Sequence, residues 1–310
     1  MLRAAANAAI GGGGASICVM TIRHDEVNSG LTVSPPRLED VANMHVIITG
    51  GSSGIGAAIA EIEAARGARI SIVARREEPL RELQARLPAQ FPRCQINICL
   101  ADVTDEAALK AAIETCENTL GPCDRFIAAA GIVEPGEFIS QAPASFRSQF
   151  ESNLFGTVNA IQAVYPGMAQ RRSGQIVIIS SGAGLIGIYG YTAYCASKYA
   201  LVGFAEALRQ EAKPIGITVS ICFPPDTETP QLAAELPLRP PAAAAIMGLA
   251  KPWSAKRVAG VIVQGADRGR VDIYPGSKMA LLGRFGRLIA PLLRWYFDKR
   301  IAAARDGSKR

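Results

Sequence analysis

Tyr194 and Lys198 stand four residues apart in a stretch, Ser181 to Lys198, whose later part favours helix. Four residues is about one helical turn, so a phenol and an ammonium emerge on one face. A cation beside a phenol favours the phenolate and draws its pKa down from about 10, towards the range of a working proton donor. Ser181 ends the apolar run Ile176-Val177-Ile178-Ile179-Ser180, which has the pattern of a buried strand. From the carboxyl edge of a sheet its hydroxyl would point at the same spot. A Tyr-x-x-x-Lys pair also recurs by chance, so its meaning depends on the elements that position it.

Those elements alternate. His45-Val46-Ile47-Ile48-Thr49 reads as a strand buried on both faces. A glycine-rich turn and an alanine-rich helix follow, stopped at Gly67. The pattern then predicts strands over about 69–74, 94–100, 126–131, 175–180, 218–222 and 271–274. Helices are predicted over about 77–87, 105–120, 144–169, 191–211 and 254–265. The helix from 105 is capped by Thr104 or Asp105 and closed by Gly121-Pro122. Strand–helix alternation of this kind makes a single α/β domain over 41–275, a doubly wound parallel sheet of the Rossmann type. Ligands are expected at the carboxyl ends of its strands.

The turn after the first strand, Thr49-Gly50-Gly51-Ser52-Ser53-Gly54-Ile55-Gly56, suits a dinucleotide. Gly50 permits the tight turn, while Gly54 and Gly56 remove side chains where backbone approaches a pyrophosphate. The helix start offers free N–H groups to the phosphates. A plain flexible loop is the competing reading, and the placement between strand and helix argues against it. The second strand ends in Arg75-Arg76, where an acidic residue would favour NAD and an arginine pairs with a 2′-phosphate. NADPH is therefore the expected cofactor, with Arg75 first and Arg76 second. Asp102-Val103 falls where an adenine edge would lie.

Composition bounds the alternatives. The 310 residues are 49% hydrophobic and 6% aromatic, enough for a sizeable aliphatic core. Seven scattered cysteines, mostly in apolar runs, read as buried thiols of a reducing compartment. Cys116 and Cys123 lack a second pair and the histidines are only His24 and His45, so no metal is expected. The segment from Lys278 onward holds nine basic and two acidic residues, which exceeds the chain's net +6. The basic character belongs to that segment and not to a nucleic-acid-binding body. Residues 1–40, with Gly11-Gly12-Gly13-Gly14 and Pro35-Pro36, are expected to form a disordered leader, and Met20 and Met44 offer later starts.

With these motifs in order, residues 44–275 resemble a classical short-chain dehydrogenase/reductase. The marks are the Gly50/Gly54/Gly56 turn, Asn153 within Ser152-Asn153-Leu154-Phe155-Gly156, Ser181, and Tyr194 with Lys198. The resemblance implies Tyr194 as general acid and Ser181 as a hydrogen-bond donor to a substrate carbonyl. It implies that Lys198 holds the nicotinamide ribose and depresses the Tyr194 pKa, and that Asn153 supports a proton-relaying water. Ser52, Ser53, Ile55, Pro224, Thr227 and Thr229 would complete the cofactor site. A homo-oligomer is implied as well. Two departures stand out: Ala128-Ala129-Ala130-Gly131 lacks the family's asparagine, and Pro224-Pro225 replaces its Pro-Gly.

The second departure is informative. Phe223-Pro224-Pro225-Asp226-Thr227-Glu228-Thr229-Pro230 and the run from Tyr194 to Pro214 resemble the 3-ketodihydrosphingosine reductases, a branch of that family. That implies NADPH-dependent reduction of a C3 ketone on a long-chain sphingoid precursor. Another lipid ketone or alcohol, or a non-catalytic NADP(H)-binding scaffold, are the competing readings. The stretch 231–252 is apolar enough for a lid over an acyl chain, worth about 0.8 kcal/mol per covered methylene, or for a loop packed on the core.

Residues 276–310 mix Leu281, Leu282, Phe285, Leu288, Leu292, Leu293, Trp295 and Phe297 with arginines. No apolar run reaches the ~20 residues of a spanning helix. The expectation is a helix lying in a membrane interface, or one docked on protein, giving a cytoplasmic protein peripheral to a membrane.

Overall fold

A computed structural model describes residues 41–248 and 251–307. The leader expected over residues 1–40 lies outside the described residues.

Seven parallel strands form the centre: β1 (His45–Thr49), β2 (Arg69–Ala74), β3 (Gln95–Leu100), β4 (Arg125–Ala128), β5 (Gly174–Ile179), β6 (Ile217–Cys222) and β9 (Asp272–Ile273). Two-residue strands β7 (Thr227–Glu228) and β8 (Trp253–Ser254) pair separately. The main sheet runs β3-β2-β1-β4-β5-β6-β9, so the strand order reverses between β1 and β4. A crevice opens there beyond the carboxyl ends of both strands. The doubly wound parallel sheet is as the sequence implies.

The central strands are apolar because both faces are covered. Every residue of β1 is buried, and Val46, Ile47 and Ile48 are wholly inaccessible. Each such aliphatic side chain contributes about 1.5–3 kcal/mol on burial. Against one face pack α1 (Gly54–Ala65), α2 (Glu77–Gln90) and α9 (Ala255–Asp267). Against the other pack α3 (Glu106–Leu120), α5 (Gly156–Arg171) and α6 (Thr192–Ala212). Asp105 caps α3, its side chain accepting from the Ala108 N–H at 3.0 Å. Arg125 is fully buried at the opposite end of the sheet from the crevice, and is tolerated because Glu63, Asp267 and Gln175 all pair with it.

Three segments differ from the sequence expectation. The helix expected over 144–169 is α4 (Pro143–Phe150) and α5, joined without a break by a π-turn over Glu151–Phe155. Such a wide turn inserts one residue and re-aims a side chain, here Asn153, and periodicity does not reveal it. The connection over 223–252 is not plain loop: it holds α7 (Pro230–Glu235), a 3-10 turn over Leu236–Leu238 and α8 (Pro241–Met247). The last strand is shorter than expected and is followed at once by α10 (Ser277–Gly307).

Candidate active site

One cavity of about 1030 Å³ occupies the crevice. Its floor is the β1–α1 turn. Gly50 (φ +69°) and Gly54 (φ +58°) adopt left-handed backbone that favours glycine. A β-carbon on Gly50 would come within 2.6 Å of the Ala130 backbone, and one on Gly56 within 2.5 Å of the Gly50 carbonyl oxygen. Ser53 begins α1 without capping it through its side chain, which leaves the helix N-terminal N–H groups to a ligand. Thr229 closes over the turn, 3.0 Å from where a Gly54 β-carbon would lie. These features fit a dinucleotide's pyrophosphate.

At the far end Arg76 donates to Ser53 Oγ at 3.1 Å, and Arg75 reaches Asp102 Oδ2 at 3.4 Å. Asp102 is further held by the Thr104 N–H and hydroxyl, and these bonds keep its carboxyl below the usual range despite partial burial. Arg75 is thus engaged by an acid, whereas Arg76 leans on the phosphate-binding turn itself.

Ser181 follows β5 and opens a 3-10 turn, accepting from the Ala183 N–H at 3.1 Å. Tyr194 and Lys198 lie in the first turns of α6, facing it. Lys198 Nζ donates to the Ile179 carbonyl at 3.1 Å and sits 5.7 Å from the centre of the Tyr194 ring. The expectation that the lysine draws the phenol down is not met. Burial is the larger influence and pushes Tyr194 well above the usual tyrosine range, with the Ser181 hydroxyl pulling it partly back. Burial also lowers Lys198, to about 8. Tyr194 is therefore a protonated phenol at neutral pH, the state a proton donor needs.

Of the residues predicted from sequence, Gly50, Ser52, Ser53, Gly54, Ile55, Gly56, Arg75, Arg76, Asp102, Val103, Ser181, Tyr194, Lys198, Pro224, Thr227 and Thr229 all line this cavity. Asn153 does not. It is fully buried behind the cavity wall, donating to the Ile132 carbonyl at 3.0 Å and to Ser197 Oγ at 2.9 Å while accepting from the Ile132 N–H at 2.8 Å. A β-carbon on Gly131 would meet Asn153 Oδ1 at 2.9 Å and Lys198 Nζ at 3.4 Å, so the amide and the ammonium flank the same glycine. Asn153 ties the end of β4 to α6, and no direct bond to Lys198 is formed.

Sequence reasoning did not single out Asp226, Glu235 and Arg239, which form a buried network with Tyr191 beside the phenol. Their spacing carries no motif; only the folded lid brings them together. It also left open how the C-terminal helix sits. Met279, Leu282 and Phe297 of α10 line the cavity, and Arg300 Nε donates to the Ala245 carbonyl of α8 at 3.1 Å. The opposite side of α10 exposes Leu281, Phe285, Leu288, Leu292 and Trp295, at alternating steps of four and three. No described helix is long and apolar enough to cross a membrane.

A family model described as short chain dehydrogenase matches residues 44–237. The chain is 36% identical over 265 residues to a Bos taurus protein named 3-ketodihydrosphingosine reductase, covering 84% of this chain and 79% of that one. It is 38% identical over 245 residues to a 3-dehydrosphinganine reductase of Danio rerio, covering 76% and 72%. Among solved structures, levodione reductase superposes with a TM-score of 0.70 at 28% identity, over 75% of this chain and 94% of that chain.

Proposed function

The chain belongs to the short-chain dehydrogenase family, and within it we propose that it reduces the C3 ketone of 3-ketodihydrosphingosine to dihydrosphingosine with NADPH. It is an oxidoreductase of the ketone/alcohol pair, and the fit of the glycine turn to a nicotinamide dinucleotide accords with that.

The observation that carries the reading is the approach of the Ser181 and Tyr194 hydroxyls within one cavity whose walls continue under an apolar helix. Bound reduced nicotinamide supplies the hydride. Ser181 and Tyr194 receive the carbonyl oxygen, where negative charge grows, and Tyr194 gives up its proton to it. Lys198 orients the cofactor ribose and offers a positive charge behind the phenol. Asn153 acts through Ile132 and Ser197, holding the β4 end and α6 in register. Met279, Leu282 and Phe297 suit the alkyl chain of the substrate.

NADPH is preferred over NADH in this reading because two arginines end β2, with Arg76 bearing on the 2′-phosphate. The outer stripe of α10, flanked by Arg284, Arg287, Arg294 and Lys299, suits the surface of an anionic membrane, so the protein is taken as cytoplasmic and peripheral on that face. A homo-oligomer is part of the same reading. The test is loss of NADPH absorbance on adding the ketosphingoid base, run beside NADH. No turnover of that ketone while other lipid ketones react would overturn the substrate assignment.

A further inference from the structure

Two carboxylates face the reacting phenol, and one guanidinium stands behind them. Glu235 Oε1 accepts from the Tyr191 hydroxyl at 2.5 Å and from Arg239 at 2.6 Å. Arg239 also donates to Asp226 Oδ2 at 3.0 Å and to the Tyr191 oxygen at 2.9 Å. Tyr191, Asp226 and Glu235 line the catalytic cavity, whereas Arg239 does not. The group therefore carries one negative charge more than it compensates, and shows that charge to the cavity.

Glu235 is nine-tenths buried, and both of its hydrogen bonds end on Oε1. Oε2 receives no donor among the described residues. Oε2 is not among the enclosed polar atoms that lack a partner, so it opens on the cavity, where a ligand's cationic donor would form a charge-assisted bond with it. Lys251 and Lys278 also line the cavity, but neither lies within ion-pair distance of Asp226 or Glu235. The Tyr191 and Tyr194 rings are 6.3 Å apart, which sets the carboxylates near the carbonyl-binding end. Consistent with that nearness, the charges of Glu235 and Asp226 both help hold the Tyr194 phenol protonated.

Resting on the reductase reading above, we propose that Glu235, oriented by Tyr191 and Arg239 and flanked by Asp226, binds the primary ammonium on the carbon next to the reacting ketone. Specificity then comes from a charge beside the carbonyl as well as from the alkyl chain. A simple 3-oxo lipid of equal length leaves Glu235 Oε2 unpaired and is disfavoured for that reason.

The test uses the full chain with NADPH and three ketones of equal chain length: the 2-amino ketone, its N-acetyl derivative and the 2-deamino ketone. The wild type is expected to favour the amino ketone over both others by about tenfold or more in kcat/KM, the scale of a charge-assisted hydrogen bond. Glu235→Gln keeps the side-chain size and is expected to bring that ratio towards one. Equal rates of the wild type on all three ketones would overturn the ammonium assignment while leaving the reductase reading intact. Turnover of other lipid ketones only would instead remove the reading beneath it. A folded Glu235→Gln that loses activity on every ketone with its ratio unchanged would make the network a lid latch and overturn the proposal. Should that variant not fold, the wild-type comparison alone decides.

Discussion

Lys198 and Tyr194 stand one helical turn apart, yet the lysine Nζ points to the Ile179 carbonyl at 3.1 Å and lies 5.7 Å from the phenol ring centre. The buried lysine and the half-buried phenol thus lie side by side without a direct hydrogen bond. Each group is shifted by burial, the phenol upward and the ammonium downward, so the two remain proton-bearing over different ranges of pH.

Tyr194→Phe removes the proton donor and leaves the ring. General acid catalysis typically contributes about 10²–10⁴-fold, and kcat should fall by that order. Cofactor affinity, measured by fluorescence titration, should change little. Retained turnover would remove Tyr194 from the chemistry.

The pH profile should report Lys198. A lowered pKa means that the proton is lost as pH rises through the shifted value, so Lys198 is mainly charged at pH 7 and mainly neutral well above about 8. Because Tyr194 stays protonated beyond that point, an alkaline limb in kcat/KM near 8 belongs to the lysine. A profile flat to about pH 10 would exclude its charge from the reaction.

Arg76→Ala should raise the KM for NADPH by about tenfold or more, given ~1.5–3 kcal/mol for a charge-assisted bond, and leave the KM for NADH nearly alone. Arg75→Ala should do less, because Arg75 is engaged by Asp102 at 3.4 Å. Kinetics with both cofactors on both variants checks the order.

Leu288→Glu and Trp295→Glu place charge at exposed positions, 78% and 54% accessible, where folding is little affected. Each buried apolar side chain is worth about 1.5–3 kcal/mol, so binding to anionic vesicles should fall by tenfold or more. Co-sedimentation measures it; unchanged binding would leave the stripe without a membrane role.

Much of this was legible from residue order. Buried parallel strands announce themselves as unbroken apolar runs, and β1, β4 and β5 lie where such runs occur. The glycine turn is equally plain, because close backbone approach leaves Gly50 and Gly56 no room for a side chain. What stayed hidden depends on tertiary placement. The π-turn that sets Asn153 against Ile132 behind the cavity wall has no periodic signature, since one inserted residue leaves the apolar spacing on either side intact. Asp226, Glu235 and Arg239 are spread over fourteen positions of an apolar lid, and nothing local marks them as partners. The sign of the Tyr194 shift was hidden for the same reason: spacing reports the lysine, but only packing reports the burial that outweighs it.

α10 is at once a wall of the cavity and the carrier of an outward apolar stripe, so the membrane seating proposed above would tie the reaction to a two-dimensional phase. An enzyme seated in this way samples ketone by its mole fraction in the surface, not by its bulk concentration. Diluting the substrate with inert carrier lipid at constant total ketone should slow turnover in proportion. Detergent micelles should show the same surface-dilution behaviour.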